Sequence, residues 1–409
     1  MKKRRLGPAE AYLLHSLAAI SVAAAFYARV QHEVPALALA GVCGSAVVSA
    51  ALLIAWSAEG IQFTISKGLV VAIVALLQVL PEFAVEATLS WSGQVPYMMA
   101  NATGSVRLLI GLAWSVVLFT AAVAHRVRRR EGVFRLRLPP EILVETGAFA
   151  AAMAWFGVIL AKRTLTLLDT AVLGGIYVLY MLALYRLPPE EKEEIADLVA
   201  PARFLAEDGR GRPRMPRILL YFALGGGAIF AVAEPFVESL KASATVLGIP
   251  PFFFIQWLAP FLSEFPESCT AFYWAQRVKL APMALRNMVS STVNQWTLLF
   301  AMIPFVYWIS PNGGRPVPID DGHARELLLS MSMTVYGMVV LFSRRVSIRN
   351  ALTLFVLWVA QLLLPSLHVQ LAALFGGLTL FEVGRRWKET NLRADLRHTW
   401  GLLRGRHPE

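Results

Sequence analysis

The chain has 409 residues, 57% of them hydrophobic and only 16% charged, with a formal net charge of +11 at pH 7. That composition excludes a soluble globular domain and a disordered segment, and it implies a polypeptide that crosses a bilayer many times. The positive charge does not by itself point to nucleic acid, because its placement along the chain follows the membrane spans described next.

Apolar windows of about 20 residues, enough to cross a hydrocarbon layer of about 30 Å as a helix, predict twelve spans. They lie near 11–30, 36–58, 68–91, 97–123, 142–161, 165–185, 217–239, 247–275, 281–309, 327–343, 349–365 and 367–384. With the N-terminus inside, 30 of the 38 Lys and Arg fall in cytoplasmic segments, six fall outside, and Arg107 and Arg286 lie within spans. This positive-inside bias assigns the basicity to topology and to attraction for anionic lipid, with no nucleic-acid partner and with both termini cytoplasmic. Short loops fit a prokaryotic plasma membrane. The first window is read as a retained span, since no clear cleavage pattern follows it. The sequence carries no signal of oligomeric state.

The longest polar interruption, "YRLPPEEKEEIADLVAPARFLAEDGRGRPRMPR", splits the spans six and six. Ile195, Leu198, Val199 and Leu205 recur in it at helical spacing, which suits either a short amphipathic helix on the inner surface or a solvated connector. On the two sides of this linker a segment recurs. Around "LQVLPE" and "LSEFPE" each copy has a long span carrying Pro-Glu, a short polar turn, and a span entered through Pro that holds Asn and, four residues on, Ser. Glu82 precedes Asn101 by 19 residues and Glu267 precedes Asn287 by 20. The charge bias puts the turn after Glu82 outside and the turn after Glu267 inside, so the repeat is inverted. The expected fold is an all-α polytopic membrane protein built as an inverted 5+5 transmembrane helix repeat with one extra helix at each end. Its parts are an N-terminal extra helix (1–35), a first repeat half (36–185), a cytoplasmic linker (186–216), a second half (217–365), and a final helix with a basic tail (366–409).

An ionised carboxylate at the bilayer centre costs about 2.5 to 3.5 kcal/mol on insertion scales. Glu82, Glu86, Glu264 and Glu267 all fall in that zone. A bound cation, a bound proton or a fixed arginine would each compensate them. Pro81 and Pro266 each remove an amide and release a carbonyl one turn earlier. Carboxylate, carbonyl and Asn or Ser oxygens form a hard-cation ligand set, and Asn101 with Ser105, or Asn287 with Ser291, share a helix face at i,i+4. Small polar residues also serve close helix packing. The acids sit as like-charge pairs at i,i+3 or i,i+4, which favours retained protons in the absence of metal, so cation binding would release protons. Arg107 and Arg286 are charge-compensating candidates, and four acids against two arginines leave a nominal −2.

These residues resemble the calcium/cation antiporter superfamily, the sodium/calcium exchanger type, whose repeats run Gly-Thr-Ser-x-Pro-Glu and then Gly-Asn-x-x-Gly-Ser-Asn. "LQVLPE" with "ANATGSV", and "LSEFPE" with "RNMVSST", fall on those patterns. The resemblance implies ten repeated helices, alternating access and a central site where the two Pro-Glu acids, here Glu82 and Glu267, coordinate Ca2+. Gly-Thr-Ser is replaced by Leu77, Gln78 and Val79 in one copy and by Leu262, Ser263 and Glu264 in the other, and Leu109 and Gln295 stand where a further Asn or Asp is expected. Losing these polar positions weakens the case for sodium coupling, while Glu86 and Glu264 favour protons.

The resulting expectation is a secondary antiporter, not an enzyme and without a cofactor, moving Ca2+ against H+ or Na+. A non-transporting membrane protein whose cation site is filled by Arg107 and Arg286 is the alternative, and a channel is third. Glu59 and Glu238 occupy matching span ends and are candidate gates, with Glu234 one turn before Glu238. Asp320 and Asp321 are read as a solvated loop, His15 and His368 as structural residues without nearby partners, Cys43 and Cys269 as small core residues, and Trp91, Trp257, Trp274 and Trp308 as boundary anchors. Nothing in the chain matches a Walker sequence, Gly-x-Ser-x-Gly or His-Glu-x-x-His.

Overall fold

The computed structural model describes residues 8–30, 34–61, 74, 76–129, 134–187, 198–206 and 215–386. Lys67, Ile195, the start of the third predicted span, most of the linker and the basic tail lie outside them. In chain order the helices are α1 (Pro8–Val30), α2 (Ala36–Ile61), α3 (Leu80–Trp91), α4 (Val95–Leu108), α5 (Trp114–Arg129), α6 (Ile142–Lys162), α7 (Leu167–Arg186) and α8 (Ala200–Ala206). They continue with α9 (Met215–Val246), α10 (Ala259–Ala275), α11 (Ala281–Asn294), α12 (Phe300–Ile309), α13 (Asp321–Phe342), α14 (Ile348–Leu363) and α15 (His368–Arg386). Among the described residues eight helices are long and apolar enough to cross a membrane, and each falls on a predicted span. The regions predicted as spans near 281–309 and 349–365 are helical as well, the latter as the shorter apolar α14.

The repeat is written into local chemistry. A single wide, π-helical turn interrupts the third span of each half, at Leu109–Ala113 and at Gln295–Leu299. Each begins eight residues after the repeat's asparagine, Asn101 or Asn287. Such turns mark inserted residues kept at functional places. After the fourth span of each half comes an arginine in the left-handed region, Arg163 (φ 58°) and Arg344 (φ 53°). A short strand and a capping box follow: Thr166 with Asp169 opens α7, and Ser347 with Asn350 opens α14.

Four short strands report the inversion directly. β1 (Arg135–Arg137) precedes α6 and pairs antiparallel with β4 (Arg345–Ser347), which follows α13. β2 (Thr164–Leu165) follows α6 and pairs with β3 (Val317–Pro318), which precedes α13. The start of α6 is thus stitched to the end of α13, and the end of α6 to the start of α13. The two fourth spans therefore run antiparallel, as inverted copies must.

By packing, the chain forms two units, residues 1–88 with 189–270 and residues 89–188 with 271–409. In the first, α2 and α9, the first spans of the two halves, lie so close at Gly225 that a methyl there would meet the Ala50 carbonyl oxygen at 2.7 Å. Glycine allows that approach as small residues do between membrane helices. In the second, Gly111 in the wide turn plays the same part, since a methyl would come within 2.4 Å of Trp358.

Several expectations need correction. Of the linker's described apolar residues, Leu205 packs with Leu14, Leu53, Ile218 and Tyr221, Leu198 packs with Ala202 and Ala206 against Trp56, and Val199 is half-buried beside them. Burial of that apolar stripe on the helices of its own unit is the cheaper outcome. Trp257 and Trp274 are buried core residues, whereas Trp91 and Trp308 are half exposed as anchors would be. Cys43 is buried but Cys269 is exposed. His15 and His368 both have partners: His15 Nδ1 lies 2.5 Å from the Tyr221 hydroxyl, and His368 Nδ1 lies 2.9 Å from Glu326. Asp320 and Asp321 are solvated as expected, their side chains 67% and 90% exposed, and each also has a partner. The His323 backbone N–H donates to Asp320 at 2.8 Å, capping α13 and holding that carboxyl below its ordinary range, while Asp321 meets Arg163 at 3.2 Å.

Candidate cation site

The two Pro-Glu segments begin differently. In the first, the helix breaks into a turn at Val79 and restarts as α3, so Pro81 and Glu82 occupy a first turn, where proline's missing N–H costs nothing. In the second, Pro266 lies inside α10, which runs on through it. The wide turn at Phe254–Leu258 just before α10 supplies further irregular backbone.

Both segments lie in the first unit, and a hydrogen bond joins them. The Ser263 hydroxyl donates to Glu82 Oε2. Ser263 precedes Glu267 by one helical turn, so the residue that reaches Glu82 shares a face of α10 with the second Pro-Glu acid. All four predicted acids are withdrawn from the surface: Glu82 and Glu86 are 0% exposed, Glu267 1% and Glu264 2%. Glu59 is equally buried and accepts a hydrogen bond from the Thr270 hydroxyl at 2.7 Å, three residues beyond Glu267. Its predicted counterpart Glu238 behaves differently. That side chain is 53% exposed and pairs with Lys241 at 2.6 Å, while Glu234 pairs with Arg29 at 3.1 Å. Positions matched in sequence are thus unmatched in burial. Among the described residues, no three His, Cys, Asp or Glu side chains converge as a ready-made metal cage.

The second unit holds the remaining candidates. Asn101, Ser105, Asn287 and Ser291 are all buried, and the Gln295 side-chain amide donates to the Ser105 hydroxyl at 2.9 Å. That bond joins the third span of one half to the wide turn in the third span of the other. Asn294, which the sequence reading passed over, is fully buried at the edge of the same turn, and neither of its amide atoms has a hydrogen-bond partner. The wide turn beside it leaves no mark in the sequence, and a buried amide there needs a partner.

Both intramembrane arginines have acids of their own. Arg107 forms an ion pair with Glu326, donates to the Thr103 carbonyl at 3.1 Å, and approaches Gln361 at 3.4 Å. Glu326 uses its other oxygen on His368, whose second ring nitrogen lies 3.2 Å from the Gln361 carbonyl. Arg286 donates from Nε and Nη2 to Glu145 Oε1 at 3.0 and 2.9 Å, with both side chains nearly inaccessible. Glu145 and Glu326 were missed in the sequence because each sits near the start of a predicted span, where an acid reads as interfacial.

The family described as sodium/calcium exchanger protein matches residues 35–186 and 217–367. The solved H+/Ca2+ exchanger CAX is 29% identical, with a TM-score of 0.86, over 96% of this chain and 98% of that one. The native YfkE structure aligns at a TM-score of 0.61 with 15% identity, covering 90% of this chain and 99% of that one. The sodium-calcium exchanger NCX_Mj, soaked with Na+ and Sr2+, aligns at a TM-score of 0.53 with 16% identity over 78% of this chain and 95% of that one. No curated protein matches.

Proposed function

Because the chain belongs to the sodium/calcium exchanger family, we propose that it is a secondary antiporter that exchanges Ca2+ for H+ by alternating access, with Glu82 and Glu267 as the acids that hold the cation. The observation that carries this reading is the Ser263 to Glu82 hydrogen bond, which ties the first Pro-Glu segment to the second among acids buried to 2% or less. Burial at that level makes a bound positive partner the condition for their ionisation.

Two carboxylates with neutral oxygens form a ligand set suited to a cation that must also leave. Glu86 and Glu264 enlarge the local negative charge and hold protons when the ion is absent, so each Ca2+ bound displaces protons. Glu59 stays proposed as a gate, now alongside Thr270. Ligation by Asn101, Ser105, Asn287 and Ser291 rests on their spacing in the sequence. The halves 36–185 and 217–365 remain the proposed division of the chain, with a cell-membrane location and cytoplasmic termini.

Protons are preferred over sodium on two grounds. The polar residues expected at the sodium positions are replaced by Leu77, Val79 and Leu109, and the chain is 29% identical to a protein described as an H+/Ca2+ exchanger. The engagement of Arg107 by Glu326 and of Arg286 by Glu145 favours transport over a reading in which these arginines fill the cation site.

The test is uptake of radiolabelled Ca2+ by sealed vesicles containing the purified protein, under an imposed H+ gradient and separately under an imposed Na+ gradient. The expected result is uptake driven by the H+ gradient and collapsed by a protonophore. Uptake driven by Na+ alone overturns the counter-ion, and uptake under neither gradient overturns the antiporter reading.

A further inference from the structure

The two strand ribbons are equivalent elements of the repeat, yet only one is basic. In β2 and β3 the paired residues are Thr164 with Pro318 and Leu165 with Val317. In β1 and β4, Leu136 faces Val346 and both are buried, so strand alternation places Arg135, Arg137 and Arg345 on the opposite face, all exposed. The register sets Arg137 directly opposite Arg345. Like charges facing each other across an antiparallel pair are destabilising. Among the described residues no carboxylate pairs with any of these three guanidinium groups. The sister ribbon forms without a single arginine in its strands, so the fold does not require them, and an anion seated between them would offset their repulsion.

Position identifies the anion. Candidate spans Val95–Val127 and Asp321–Phe342 end shortly before β1 and β4, and span Ile142–Lys162 begins shortly after β1. The ribbon therefore lies where helices leave the apolar layer, at the level of lipid phosphates. Arg386, in the last turn of α15, donates to the Arg345 carbonyl at 3.5 Å, and the turn before it exposes Leu380 and Phe381. A guanidinium fork binds phosphate through paired hydrogen bonds, and the exposed apolar residues give an acyl chain a surface. We propose that the outward face of this ribbon, Arg135, Arg137 and Arg345, binds the phosphate headgroup of an anionic phospholipid.

The test is native mass spectrometry and thermal unfolding of the delipidated full chain in detergent, titrated with phosphatidylglycerol, phosphatidylcholine or inorganic phosphate. Phosphatidylglycerol is expected to bind and to raise Tm, while phosphatidylcholine does neither and inorganic phosphate at millimolar level fails to displace it. The Arg137→Gln, Arg345→Gln double variant is expected to lose at least about tenfold in phosphatidylglycerol affinity, the cost of one or two charge-assisted hydrogen bonds. Without lipid its Tm should equal or exceed that of the parent, because a like-charge contact has been removed; should it fail to fold, the single Arg137→Gln variant carries the same comparison. Equal binding of the two lipids, unchanged affinity in the variant, or displacement by inorganic phosphate each overturns the proposal.

Discussion

Glu267→Gln is expected to abolish H+-driven Ca2+ uptake in sealed vesicles, and Glu82→Gln to do the same. Glutamine keeps the volume and one carbonyl oxygen of the side chain but removes the formal charge that a divalent ion needs. Losing even an outer-shell partner at a metal site costs about 10- to 100-fold in affinity, so loss of a ligating carboxylate should reach at least the upper figure. Ser263→Ala separates positioning from ligation. It removes the hydroxyl that donates to Glu82 without touching either Pro-Glu acid, and should weaken apparent Ca2+ affinity while leaving measurable uptake. Parental uptake in either glutamine variant would reject the site assignment while leaving the fold intact.

The second large effect is on stability. Breaking the Arg286–Glu145 pair by Glu145→Gln or by Arg286→Met should each cost about 3–5 kcal/mol, because each leaves one buried charge uncompensated. Replacing both together with Glu145→Leu and Arg286→Met should be far milder than the sum, since no ion is then stranded. The geometry behind this is the double donation from Nε and Nη2 to a single carboxylate oxygen, with the arginine side chain 4% exposed and the glutamate 0%. Thermal unfolding in detergent reads the cycle. If Glu145→Gln is neutral while Arg286→Met alone abolishes Ca2+ uptake, Arg286 belongs to the cation site and not to Glu145.

The sequence carried the fold to an unusual depth because the bilayer forces a simple code. Backbone groups in hydrocarbon must pair within each segment, so every sufficiently long apolar window becomes a helix. The duplicated Pro-Glu and Asn-x-x-x-Ser spacing then exposed the inversion, whereas the two left-handed arginines, two strands and two capping boxes that repeat after the fourth spans emerge only in the folded backbone. What stayed hidden was partner choice. Glu145 and Glu326 stand near the starts of predicted spans with no partner visible along the chain, and only tertiary packing delivers them to Arg286 and Arg107. Glu59 and Glu238 looked equivalent by position, yet one ends a helix packed inside the unit and accepts from Thr270 while the other meets Lys241 at the surface. Ser263 was noted only as a departure from the expected Gly-Thr-Ser, although that substitution supplies the hydroxyl that reaches Glu82.

In the proposed exchange, Ca2+ and protons compete for the same buried carboxyl groups. Calorimetric titration of the purified protein with Ca2+, repeated in buffers of different ionisation enthalpy, counts the protons released per ion bound. Proton release that accompanies binding and disappears together with it in Glu82→Gln and Glu267→Gln is the predicted result; Ca2+ binding with no proton release, or binding that persists unchanged in both variants, would contradict it.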